Sequence, residues 1–155
     1  MFNRLFATAT FLVLLPLSLT TAAQEQTFGD WQYRCGEEAC ALSQVALNAD
    51  QAPVMQFSLF QGKEDRTLVR LALPLNVNLR RGVLITQDEV KQPLEYLYCS
   101  ENSCFAGGVL PPEMLAAFRA GNQAGVNFFS IKAGPLRAGV SLKGFTAGHK
   151  KLLAQ

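Results

Sequence analysis

Along most of the chain, apolar and polar side chains alternate in short runs bounded by turn residues, the pattern of strands with one buried and one wet face. Thr67 to Leu73 is typical: Val69 and Leu71 alternate with Arg70 and Ala72. Phe28, Trp31, Tyr33 and Cys35 open the pattern. Further strands are predicted over Cys40 to Leu47, Val54 to Phe60, Thr67 to Leu73, Val83 to Thr86, Leu94 to Cys99, Cys104 to Val109 and Val126 to Ile131. Helical spacing is scarce. Pro111 to Ala120 reads as a helix, with proline in the first turn, Met114, Leu115 and Phe118 on its buried stripe, and Gly121 as a left-handed stop. A second short helix is predicted with Thr146 as N-cap, running through Lys150, Lys151 and Leu152. The spacing of these elements predicts an all-β single domain: a β-sandwich or open barrel of about eight short antiparallel strands with one or two short helices.

The first residues follow a different pattern. One positive charge at Arg4 precedes an apolar run from Leu5 to Leu19 and the small residues Thr20, Thr21, Ala22 and Ala23. That is the layout of a secretory signal peptide. The run is shorter than a spanning helix needs and contains Pro16. Residues 1–23 are therefore expected to be removed, leaving 24–155 as one domain with no integral membrane segment, periplasmic or secreted, starting at Gln24. Removal takes away Arg4 and no acid, lowering the formal charge from +2 to +1. So small a charge argues against nucleic-acid binding, which needs a broad basic face.

Four cysteines form two pairs of equal spacing, Cys35 with Cys40 and Cys99 with Cys104, each at the junction of two predicted strands. Residues flanking a four-residue hairpin loop face each other within disulfide reach, and export favours oxidation. Local staples are the leading expectation. The rivals are cross-pairing between distant strands, a four-cysteine zinc site and a redox-active pair, which would want a two-residue spacer at a helix N-terminus.

Catalytic patterns are weak. His149, the single histidine, is the one available base for a hydrolase triad, and beside Lys150 and Lys151 it reads as a solvated side chain. Glu37/Glu38, Glu64/Asp65 and Asp88/Glu89 read as solvated turn carboxylates. No phosphate-cradling loop or metal-ligating histidine pair is present, and no cofactor or metal is expected. Arg80 and Arg81, with Lys91, Arg137 and Lys143, suggest at most a small anion-binding face. For recognition, the stapled loops stand out, because a pinned loop loses little freedom on binding. Glu37, Glu38, Glu101 and Asn102, with Arg80 and Arg81, are the candidate contact residues for an unidentified envelope or host macromolecule.

Phe28-Gly29-Asp30-Trp31 before Cys35, then Leu73-Pro74-Leu75 with Leu79 and Gly82-Val83, then Leu94 to Cys99 and Cys104, and finally Ser141-Leu142-Lys143-Gly144-Phe145, together resemble the invasion-associated locus B family of exported bacterial proteins. The resemblance spans nearly the whole mature chain and rests on the order and spacing of these segments. It implies an envelope or secreted protein, named for host-cell entry in pathogenic relatives, with no catalytic residues to carry over. Asn76 and Ser103 stand where the family usually has glycine. Asn76 is expected in a left-handed turn, and Asn102 is expected to take the strained position beside Ser103.

Overall fold

The computed structural model describes residues 25–154 apart from 49 and 51; the expected signal segment, residues 1–23, and the junction at Gln24 lie outside the described residues. The described chain runs β1 (Glu25–Phe28), β2 (Trp31–Cys35), β3 (Cys40–Leu47), β4 (Pro53–Gln61), β5 (Thr67–Leu73), β6 (Val83–Gln87), β7 (Val90–Cys99), β8 (Cys104–Leu110), α1 (Pro112–Ala120), β9 (Gln123–Ser130), β10 (Gly134–Ser141) and α2 (Phe145–Leu152). Short 3-10 turns at Lys63–Asp65 and Leu79–Arg81 lead into β5 and β6. The strands pair antiparallel in one sheet, in the order β1-β2-β3-β4-β5-β8-β7-β6-β9-β10.

The fold is thus mostly β, a curled half-barrel with two helices, and it has ten strands rather than about eight. The two additional strands are β1 and β10. In β10, Gly134, Pro135 and Gly139 dilute the alternation and only Ala138 and Val140 are buried, so the segment reads as loop until full-length pairing with β9 makes it a strand. Long β7 joins the two halves of the sheet. Its first half, Val90 to Leu94, pairs with β6, and its second half, from Glu95, pairs with β8. Pro93 lies in the first half, where β7 has a strand neighbour on one side only, the setting in which a strand tolerates proline.

Inward side chains and both helices share one core. Trp31 packs edge-on to Phe57 at 5.8 Å and lies 5.7 Å from Phe145, which meets Phe118 at 5.4 Å. Met114 and Phe118 bury the stripe of α1 as expected. Gly121, however, is extended at φ −90° and ψ 172°, not left-handed. The α2 helix starts one residue before Thr146, with left-handed Gly144 as its N-cap at φ 86°.

Curling brings the last strand back to the first ones. The Gln44 side-chain amide donates to the Ser141 carbonyl at 2.7 Å and its oxygen accepts from the Ser141 N–H at 3.0 Å. A side chain here replaces a missing rung between β3 and β10. Trp31 Nε1 donates to the same carbonyl at 3.0 Å, Ser141 Oγ donates to Asp30 Oδ2 at 2.6 Å, and the Asp30 N–H donates to the Lys143 carbonyl at 3.1 Å. Backbone crowding explains the glycines of this junction: a Cβ at left-handed Gly29 would collide with the Lys143 carbonyl, and one at Gly144 with the Phe28 carbonyl. Phe28-Gly29-Asp30-Trp31 and Ser141 to Phe145, far apart in sequence, are two halves of one clasp.

Candidate functional site

Both cysteine pairs form local disulfides, Cys35–Cys40 and Cys99–Cys104, and among the described residues no cysteine is free. Each pair faces across the terminal rung of its hairpin, as expected from a four-residue loop. The Gly36 N–H donates to the Ala39 carbonyl and the Ser100 N–H to the Ser103 carbonyl, so the loops close beyond the bridges. Only Glu37-Glu38 and Glu101-Asn102 remain at the tips. Asn76 takes the left-handed conformation, at φ 67°, whereas Asn102 is not among the positive-φ residues. Its turn closes without a strained residue.

The two tips do not share a surface. Cys40 lies at the end of the sheet where Gln61 meets Thr67 and Thr67 meets Leu110. Cys104 faces Leu73, at the other end of the same strands. Glu101 and Asn102 therefore project from the end opposite Glu37 and Glu38. The basic residues do not form one face either. Lys91 and Arg137 flank Thr86 at one end of β6, Arg80 and Arg81 precede its other end, and Lys143 sits at the clasp.

What the register does assemble is a groove across the outward side of the sheet. One depression, about 840 Å³, is lined by Glu37, Glu38, Phe60, Leu68, Arg70 and Val109 among others. A second, about 890 Å³, is lined by Arg80, Arg81, Val83, Pro93 and Glu95 among others. Both share Leu97, Gly107 and Gly108, so they form one continuous trough. The reason lies in the glycines. With no side chain on Gly107, the floor drops, and Leu97 lies over it from the bulge between Tyr96 and Tyr98.

The floor of the first depression is apolar and open: Leu97 is 59% exposed, Val109 40% and Leu68 37%. Its charged walls are held in place. The Arg70 guanidinium sits 4.8 Å from the Phe60 ring and 5.8 Å from the Phe105 ring, and Arg81 lies 4.3 Å above Phe129. Asn78 accepts a hydrogen bond from the Arg80 N–H and fixes the turn. Burial pushes the Tyr96 phenol above its usual pKa. Four of the six expected contact residues line this trough. Leu68, Arg70, Leu97 and Val109 were not singled out by the sequence, although adjacent glycines inside a strand are a recognisable sign of close approach.

His149 is not solvated. It is 2% exposed, its Nε2 lies 2.7 Å from Thr67 Oγ1, and its ring stacks on Phe145 at 5.2 Å. Burial first, and the Arg119 charge second, lower its pKa to about 4. The sequence reading failed because Lys150 and Lys151 made the turn look polar, while helical geometry places His149 on the inward stripe with Phe145 and Leu152. Glu37, Glu38, Glu64, Asp65, Asp88 and Glu89 are exposed, as expected of turn carboxylates. Among the described residues, no helix is long and apolar enough to cross a membrane.

The fold and these features define a class: a small, disulfide-stapled half-barrel that presents an apolar trough on its outward sheet face. Within that class, the chain matches the family described as Invasion associated locus B (IalB) protein over residues 31–153, and it belongs to that family. Among solved structures, it is similar to the crystal structure of invasion associated protein b from Bartonella henselae, with a TM-score of 0.76 and 22% identity, over 85% of this chain and 97% of that one. At that identity the likeness speaks for the fold. No curated protein matches.

Proposed function

We propose that this is an exported, non-enzymatic binding protein that contacts an envelope or host macromolecule along the outward trough. The observation that carries the reading is the exposed strip of Leu68, Val109 and Leu97 between Glu37/Glu38 on one side and Arg80/Arg81 on the other. Apolar side chains left in water between fixed charges are the anatomy of a protein contact surface. A hydrolase reading is disfavoured because the available base, His149, is buried against the hydroxyl of Thr67, a residue itself 1% exposed. Export is supported by the signal-like N-terminal pattern and by the two disulfides.

The test places a photo-crosslinking residue at Leu97 in intact cells, with the processed N-terminus read by mass spectrometry. An adduct of defined mass is expected, on protein starting near Gln24. It should be lost on alanine substitution of Glu37, Glu38, Arg80 and Arg81 but kept on substitution of Glu101 and Asn102. No adduct at Leu97, or equal loss from the Glu101/Asn102 variant, would sink the trough as the site.

A further inference from the structure

The Gln44 side chain shows what the outer edge of β10 can hold. Its amide donates to the Ser141 carbonyl and accepts from the Ser141 N–H, so both bonds go to one residue, as in a hydrogen-bonded pair of antiparallel strands. A carboxamide has the donor and acceptor of a peptide group. Gln44 thus fills one rung of a strand that is otherwise absent.

Alternation along β10 places the rungs that follow. The Leu142 N–H donates to the Asn122 carbonyl on the β9 side, while the neighbouring Ser141 N–H points the other way, to Gln44. Successive residues of an antiparallel strand turn their N–H and C=O groups to opposite sides. Val140 and Ala138 therefore face β9, and Gly139 and Arg137 face the same side as Ser141. Pro135 falls in that second set, where its missing N–H takes nothing from the ladder. Among the described residues β10 ends the sheet, and no strand pairs with it on that side.

The space beside this edge is a cleft of about 630 Å³, lined by Gly139, Arg137, Gln123, Val45 and Leu47 among others, and it shares no lining residue with the trough. It exists because the pairing of β2 with β3 stops at Ser43, so the rest of β3 faces β10 without a ladder between them. Val45 and Leu47 stand exposed on that wall. The Arg137 guanidinium lies over Gly125 and belongs to neither ion pair of the described residues.

An open strand edge recognises extended backbone, with main-chain bonds giving affinity and alternate side chains giving specificity. We propose that this cleft takes an extended segment of another protein, added antiparallel to β10 in line with the Gln44 amide. Its side chain opposite Arg137 is acidic, and apolar ones cover Val45 and Leu47. A second copy pairing edge to edge does not meet this requirement, because β10 contains no acidic residue to offer Arg137.

The experiment is amide hydrogen exchange read by NMR on the protein as the cell yields it. Alone, Val140 and Ala138 should exchange slowly and Gly139 and Arg137 fast. A blocked peptide of alternating valine and threonine with one central aspartate, at about 1 mM, should slow Gly139 and Arg137 at least about tenfold. The same peptide N-methylated at alternate residues lacks the donors and should slow neither. Lysine in place of aspartate should weaken binding to the parent about threefold, and R137E should reverse that preference. Slow exchange at Val140 and Ala138 shows that R137E is folded; if it is not, the N-methylated control decides. Three results overturn the proposal: Gly139 and Arg137 already protected before peptide is added, whether in a dimer by sedimentation or in a monomer; no protection by the peptide; or equal protection by its N-methylated form. Parent and R137E that both fail to distinguish the aspartate from the lysine peptide overturn the acidic partner assigned to Arg137.

Discussion

His149 shows how one residue's chemistry is set by what packs on it. Unfolded, its imidazole has the ordinary value near 6.5; folded, burial and Arg119 lower it to about 4. Between those values the unfolded chain binds the proton and the folded chain does not, so stability rises with pH across that window and is lost as pH falls through it. Above about 6.5 the contribution is fully present. We expect acidification from pH 7 to pH 4 to cost about 2–3 kcal/mol through this residue. Urea denaturation at several pH values should show a slope that flattens in His149→Gln, which retains a polar group to face Thr67. An unchanged slope would mean that His149 is not the titrating group.

At the scale of elements, the disulfides close loops that the backbone already closes. Each links residues with a sequence separation of 5, so each removes little freedom from the unfolded chain, about 2 kcal/mol in the chain-entropy account. Replacing either pair by serine should therefore lower stability by about that amount while leaving strand pairing intact. Because the bridges sit at opposite ends of the sheet, the two losses should add within about 0.5 kcal/mol. Thermal denaturation of both pair variants and the combined one checks this; a combined loss far above the sum would mean that the hairpins support each other. The hairpins were legible because spacing and turn chemistry are local. The β10 strand was not, since its hydrogen bonds are made by β9 and its own composition suggests a loop.

For the molecule as a whole, the clasp between Phe28–Trp31 and Ser141–Phe145 decides whether the sheet curls shut. Two left-handed glycines separate its contributions. Gly134, at φ 77°, has nothing within 4 Å of a Cβ, so Gly134→Ala should cost only the conformational penalty of about 1 kcal/mol. Gly144, at φ 86°, has the Phe28 carbonyl where the Cβ would stand. Gly144→Ala must move the clasp, and we expect about 3 kcal/mol or more, with faster amide exchange at Asp30 and Ser141. Equal costs at the two positions in denaturant titration would refute the close-approach argument.

By itself, the sequence determined what alternation and spacing encode. These are the β class, most of the strands, the buried stripe of α1, the two local bridges, the left-handed turn at Asn76 and the family, which the match over residues 31–153 bears out. Such features depend on neighbours a few residues away. Tertiary structure decided the rest. It buried His149, made a strand of Gly134–Ser141, joined Gly29 to Gly144, separated the two stapled tips, and set Arg70 and Glu95 on either side of Gly107. Each depends on which strands lie side by side and in what register. That choice is made by the burial of the whole core, and no local stretch of the chain contains it.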